Sequence, residues 1–207
     1  MKDKILLIGN YGNDKTVCDA ARISFNNFGK EYTEEENDKL IKYMLTHEHT
    51  SPFEQVNFTF LVKAPIFIAR QWMRHRTARI NEQSGRYTML NNQFFIPSNI
   101  RNEKGERLNE KTIETITNEL KNFYENTYCL YCKLQQEGLA RELSRIILPL
   151  GVYTEFIWQM DLHNLMHFLK LRLNKGAQFE IREYAEEILK LVEPICPITI
   201  KYFKKMI

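Results

Sequence analysis

The residues best equipped for chemistry lie between Gln71 and Tyr87, a stretch that reads Gln-Trp-Met-Arg-His-Arg-Thr-Ala-Arg-Ile-Asn-Glu-Gln-Ser-Gly-Arg-Tyr. Arg74, Arg76, Arg79 and Arg86 stand there with His75, Asn81 and Ser84, and Glu82 is the only carboxylate among them. Forked guanidiniums at this density suit a phosphorylated ligand, because each can meet a phosphate with two parallel hydrogen bonds. The interleaved Asn, Gln and Ser add neutral hydrogen bonds, and Gly85 permits a close backbone approach. A solvated helix face or a ladder of interface ion pairs is the plainer account of an arginine-rich stretch. The arginines do not alternate with acids at helical pairing distance, Glu82 being the one carboxylate, which speaks against that account.

The elements that must hold this stretch are legible on either side of it. Val56, Phe58, Phe60 and Val62 alternate with Asn57, Thr59, Leu61 and Lys63, the periodicity of a strand with one face in the core. Pro65 suits the first turn of a helix through Ile66, Ile68, Ala69 and Trp72, which brings Gln71, Arg74 and His75 to its carboxyl end. A helix dipole favours cations there by only ~0.3–1 kcal/mol each, too little to account for so many. Upstream, Ile5 to Ile8 reads as a short strand ended by Gly9-Asn10 and Tyr11-Gly12. Thr33-Glu34-Glu35-Glu36 is a capping box that opens a helix through Leu40, Ile41, Met44 and Leu45 to about His47, and Pro52 then holds the polar turn from His47 to Glu54.

Downstream, Asn91 to Gly105 reads as a loop, followed by a long amphipathic helix from about Leu108 to Glu137 that stops at Gly138. Its stripe of Phe123, Tyr124, Tyr128 and Tyr131 reads as a core or subunit contact. Ala140 to Leu148 is predicted as a second helix ended by Pro149, with Arg141 and Arg145 one turn apart, and Val152 to Met160 as a strand. Asp161 is a good N-cap for a helix from Leu162 to Leu173, which carries His163 and His167 at i, i+4 and Arg172 near its end. Gly176 to Glu180 leads into a helix from Phe179 to Leu191, and Pro194 and Pro197 break the chain before a short final helix.

The chain has 207 residues, 43% hydrophobic and 27% charged, which reads as one globular domain over residues 1–207 with a sizeable core. No apolar run approaches the ~20 residues of a membrane span, and the apolar stretch after Met1-Lys-Asp-Lys is too short for a signal peptide, so a cytoplasmic location is expected. A formal charge of +3 is too weak to imply general nucleic-acid binding. Cys129 and Cys132 have C-x-x-C spacing but lack a second pair, so they read with Cys18 and Cys196 as buried thiols, and none sits in a setting that would activate a nucleophile. His47-Glu48-His49 and the His163/His167 pair, with Asp161 as a conceivable third ligand, are metal-like spacings; neither completes a persuasive set, and no metal is expected.

The order Arg74-His75-Arg76, then Asn81-Glu82, Ser84 and Arg86-Tyr87, resembles the signature of the flavin-dependent thymidylate synthases. The likeness runs from about His47 to Glu180 and takes in His49 to Glu54, Arg145 to Pro149 and Asp161 to Arg172. Arg79 departs from it, standing where the family often has serine; it could meet a phosphate or fold back on Glu82. The resemblance implies an α/β fold of the α+β type, a central mostly antiparallel sheet with a layer of helices that includes the long amphipathic one. It implies binding of dUMP by Gln71, Arg74, Glu82, Gln83, Ser84, Gly85, Arg86, Arg145 and Arg172. It implies that FAD is lined by Ser51, Arg74, His75, Arg76, Glu82, Asp161, His163 and His167, with 5,10-methylenetetrahydrofolate and NADPH as co-substrates. Relatives are homotetramers whose sites combine residues of several subunits.

The chemistry suits these residue types. Methylating C5 of dUMP requires electron density on a poor carbon nucleophile, and no cysteine here is placed to raise it by adding to C6. A reduced flavin can deliver hydride instead if a fixed cation polarises the uracil ring, and by resemblance that cation is Arg172. Two readings of other classes stand beside this one: a nucleic-acid-binding module using the arginines with Tyr87, Phe94 and Phe95 as stacking groups, and an assembly subunit whose arginines make only interface salt bridges.

Overall fold

The computed structural model describes residues 4–207, so Met1, Lys2 and Asp3, the start of the segment weighed for a leader, lie outside the described residues. The chain divides into two compact units. One comprises residues up to Val62, Trp72–Asn81 and Phe156–Ile207; the other comprises Lys63–Gln71 and Glu82–Glu155.

Most of a four-stranded antiparallel sheet of order β1-β2-β4-β3 lies in the first unit, with β1 at Ile5–Tyr11, β2 at Asn57–Pro65, β3 at Arg79–Glu82 and β4 at Tyr153–Asp161. The alternation predicted for β2 is what the structure uses. Phe58, Phe60 and Val62 are fully buried, Phe156, Trp158 and Met160 of β4 are buried with them, and each such burial contributes about 1.5–3 kcal/mol. On the opposite face Gln159 donates across the strands to Thr59 at 3.3 Å. β1 is longer than the expected Ile5–Ile8. Its pairing with β2 carries it through Gly9 and Asn10 to Tyr11, and a register shift between Leu7 and Gly9 leaves Ile8 as a bulge. β2 in turn keeps Pro65, which was expected to open a helix. Proline has no N–H for the ladder, so it ends the strand.

Helices cover this sheet. α1 (Asp14–Ile23), which the sequence reading did not foresee, starts from a capping box between Asn13 and Thr16. The buried Asp14 carboxylate accepts from the Ile198 and Thr199 amides and the Thr199 hydroxyl, so it ties α1 to the start of α8 (Pro197–Phe203). Burial raises its pKa despite these bonds. α2 (Glu34–Thr46) begins at the predicted Thr33 box. α6 (Leu162–Arg172) buries Leu162, Leu165, Phe168 and Leu169, and α7 (Phe179–Val192) buries Ile181, Tyr184, Ala185 and Ile188.

The second unit contains α3 (Ile66–Trp72) up to Gln71, α4 (Glu110–Gln136) and α5 (Arg141–Ser144). The Val152 and Leu150 carbonyls accept the first two amides of α3. The helix predicted from Ala140 to Leu148 is divided. After α5 the chain tightens into a 3-10 turn at Arg145–Ile147, because Leu148 N–H bonds back to Arg145 ahead of Pro149. The α4 stripe is only partly core: Tyr131 is buried and its hydroxyl oxygen accepts from the Leu90 amide at 3.2 Å, Phe94 stacks on Tyr124, and Phe123 and Leu130 are exposed. Gly151 must be glycine, since a Cβ there would lie 2.6 Å from the Tyr124 hydroxyl.

Candidate functional site

In the first unit the site is anchored on Trp72. Its fully buried indole lies 5.1 Å from Phe168, 5.2 Å from Trp158, 5.6 Å from Phe156 and 5.6 Å from Tyr184, ring centre to ring centre. The chain turns at once, with the His75 amide donating to the Trp72 carbonyl at 3.0 Å. The following side chains then part: His75 is buried, while Arg74 and Arg76 are exposed. Arg172, half-buried in the last turn of α6, donates from Nε to Nε2 of His75 at 3.0 Å. Burial, then the nearby Arg172 and His167, pull the His75 pKa down from 6.5 to about 4. The ring is neutral at pH 7 and accepts through Nε2. Burial also lowers the Arg172 pKa, yet a guanidinium stays charged.

The other flavin candidates gather about α6 and its flanking turn. Asp161 is the predicted N-cap, and its carboxylate accepts from the Asn164 amide at 2.8 Å and the Asn164 side chain at 2.7 Å. His163 is half-buried and His167 exposed one turn on. Ser51, itself exposed, opens a 3-10 turn, Ser51–Gln55, that packs on α6; the Leu162 amide bonds to the carbonyl of Val56 just after it. Among the described residues the side chains of Arg74, Arg76 and Arg79 make no ion pair or hydrogen bond. Arg79 therefore does not fold back on Glu82. Exposed cations with no carboxylate of their own are the donor set that a diphosphate such as that of FAD requires, so these residues fit the group.

In the second unit Ser84, Gly85 and Arg86 form a turn in which the Tyr87 and Thr88 amides bond to the Ser84 carbonyl. A Cβ on Gly85 would come within 3.3 Å of the Arg145 stem and of Leu90, so glycine lets Arg145 lie against the turn. Arg86 pairs with Glu142 at 3.1 Å, and Arg141 donates to the Tyr87 carbonyl at 2.8 Å. Gln83 donates from its amide to Glu155 at 2.8 Å, and Glu82 accepts from Thr154 at 2.6 Å. Gln71 is half-buried at the end of α3. Glu142 and Thr154 were not among the residues picked from the sequence, and Arg141 was noted only for its spacing to Arg145; their separation from the motif leaves no local signal that ties them to it. β3 was missed too: all four of its residues are exposed, so no apolar alternation marks it.

Two expectations change. Cys129 is exposed and Cys132 half-buried, because that side of α4 is not covered within the chain; only Cys18 and Cys196 are buried. Burial raises the Cys18 pKa to about 11 and that of Cys196 further, so neither is a ready thiolate. The proposed stacking groups Phe94 and Phe95 are packed on Tyr124 and Phe67, and Tyr87, the exposed one of the three, has the Arg86 guanidinium over its ring at 5.7 Å. No group of three or more potential metal-ligating side chains occurs among the described residues.

Comparison with known proteins places this arrangement. The chain matches the UMP/dUMP methylase PolB from Streptomyces cacaoi bound with 5-Br dUMP, with a TM-score of 0.90, 29% identity and coverage of 97% of this chain and 94% of that one. By fold the protein is thus classed with nucleotide methyltransferases. It is 45% identical to the flavin-dependent thymidylate synthase of Treponema denticola over 99% of this chain and 80% of that protein. It is 43% identical to the one from Thermus thermophilus over 99% and 76%. The sequence profile described as thymidylate synthase complementing protein matches residues 6–198. The chain belongs to the flavin-dependent thymidylate synthase family.

Proposed function

We propose that this enzyme converts dUMP to dTMP by reductive methylation, with Arg172 as the residue that activates the pyrimidine. The observation that carries this reading is the guanidinium of Arg172, held on a rigid helix end by a buried neutral histidine rather than left to wave in solvent. FAD, reduced by NADPH, supplies a hydride when bound, and 5,10-methylenetetrahydrofolate supplies the carbon. Arg74 and Arg76 neutralise the flavin diphosphate, while Ser51, His75, Glu82, Asp161, His163 and His167 line the rest of the cofactor. Ser84, Gly85, Arg86 and Arg145 hold the nucleotide phosphate, joined by Gln71, Arg74, Glu82 and Gln83. Arg86 can exchange Glu142 for that phosphate, because an exposed ion pair contributes only ~0.2–1 kcal/mol. Arg172 faces the O2 and N3 edge of uracil, where its planar fork stabilises charge spreading over the ring and raises electron density at C5.

The enzyme works as a homotetramer in the cytoplasm, where its charged substrates occur. Exposed Phe123, Leu130, Leu143, Ile146 and Leu150 support assembly, since a chain left alone would keep this apolar surface wet. In the tetramer the residues around one nucleotide come from more than one protomer. Arg172→Ala should lower turnover about a hundredfold, the loss typical of removing one preorganised donor of ~3 kcal/mol, with FAD content unchanged. Arg172→Lys should recover little. Near-parent turnover of Arg172→Ala at saturating dUMP would remove Arg172 from catalysis. The likeness to a UMP/dUMP methylase favours one second reading, that UMP is also a substrate; the ratio of kcat/KM for dUMP and UMP decides it.

A further inference from the structure

His75 is 8% exposed although both its neighbours, Arg74 and Arg76, are exposed. Its ring is wedged against α6. Phe168 meets it nearly edge-on with ring centres 4.8 Å apart, and His167 lies at 6.3 Å. Phe168 is itself fully buried against Trp72 and Trp158, so the wall behind His75 is core and does not yield easily. A guanidinium has no acceptor, so the 3.0 Å contact has one polarity: Arg172 Nε–H donates to an unprotonated His75 Nε2, with the ring proton on Nδ1. Because a guanidinium is planar, holding Nε fixes the plane of the whole group and hence the direction of its far edge.

We propose that His75 is a positioning residue for Arg172: it sets the plane in which the guanidinium meets the pyrimidine. The proposal rests on the reading of Arg172 as the activating cation and adds to His75 a role separate from contact with the flavin. The low pKa of His75 agrees with it, since protonation would remove the acceptor and place two cations in contact. Sequence gives no hint of the pair, whose members lie 97 residues apart.

The test compares His75→Phe, which keeps a ring beside Phe168 but no acceptor, with His75→Gln, whose amide oxygen can accept near the Nε2 position. Both are made in the parent and in Arg172→Ala, and assayed as flavin-loaded enzyme for kcat, KM for dUMP and FAD content. Nitrogen-15 NMR follows solvent exchange of the Arg172 Nε–H. Compared on the flavin-loaded fraction, so that any FAD lost with a flavin-lining ring is set aside, His75→Phe should lower kcat about tenfold and speed that exchange. His75→Gln should recover most of both. In the Arg172→Ala background His75→Phe should cost less than about twofold more, because what it positions is gone. The proposal is overturned if His75→Phe leaves kcat and exchange unchanged while Arg172→Ala loses a hundredfold. Equal losses in both backgrounds, or loss of FAD with normal kcat in the loaded fraction, overturn it as well, because His75 then acts on the flavin alone. Near-parent turnover of Arg172→Ala is the separate result that sinks the reading of Arg172 and this proposal with it. Should His75→Phe fail to fold, His75→Asn, whose amide sits at the Nδ1 position and leaves Nε unmet, takes its place with the same expectations.

Discussion

At Arg74-His75-Arg76, alternate side chains take opposite environments, and each environment carries a measurable consequence. His75 titrates near 6.5 when unfolded and near 4 when folded. Between those values the unfolded chain holds a proton that the folded chain refuses, so the stability that neutral His75 contributes is complete above about pH 6.5 and is lost as pH falls toward 4. Thermal unfolding should therefore show Tm falling more steeply over that interval in the parent than in His75→Phe, and parallel slopes would contradict the buried neutral state. Arg76 has the opposite character, an exposed cation with no partner among the described residues. Arg76→Ala should weaken FAD affinity about tenfold or more, as expected from a charge-assisted bond of ~1.5–3 kcal/mol, without lowering Tm. Arg79 takes the same test. Arg79→Ser should loosen FAD or dUMP while leaving kcat nearly intact, and unchanged titrations with both ligands would place Arg79 outside the site.

At the scale of elements, the tryptophan that ends α3 matters more than the helix itself. Trp72 joins β4, α6 and α7 through four aromatic neighbours, and the turn that follows it delivers His75 to α6. Trp72→Ala should cost about 3–5 kcal/mol in urea unfolding, from lost transfer energy and the cavity left behind. Trp72→Phe should cost much less. The buried indole Nε1 has no hydrogen-bond partner among the described residues, so replacing it also removes an unsatisfied donor. A loss under about 1 kcal/mol for Trp72→Ala would mean that the aromatic cluster does not anchor the site.

For the whole molecule, the uncovered side of α4 and the exposed Leu143, Ile146 and Leu150 predict a state of association. Light scattering of the purified enzyme should give four times the chain mass. Phe123→Glu combined with Leu130→Glu should reduce that mass and, on the proposal that sites draw on several protomers, turnover with it. A double variant that remains tetrameric would move the interface elsewhere. The exposed Cys129 on the same helix follows from the same fact: a stripe that reads as one apolar band along α4 is divided between Tyr131, which is buried, and positions such as Phe123 and Leu130 that stay exposed.

Local signals were enough for the elements whose stability is local. The Thr33 capping box, the Asp161 N-cap and the stop of α4 at Gly138 each rest on contacts within a few residues, and each element appears where its signal lies; the alternation of Phe58, Phe60 and Val62 was legible as a periodicity, although β1 and Trp158 supply its contacts. The cation cluster was equally legible, because four arginines against one acid is a property of composition. What a residue meets across the fold was not. β1 reached Tyr11 because β2 supplied its partners, β3 formed at an exposed edge without an apolar pattern, and Pro65 went to the strand because its missing N–H suits a strand end. Burial of His75 between exposed arginines, the grip of its Nε2 on Arg172, and the capture of Arg86 by Glu142 depend on side chains brought together from distant parts of the chain, and only the tertiary structure decides such meetings.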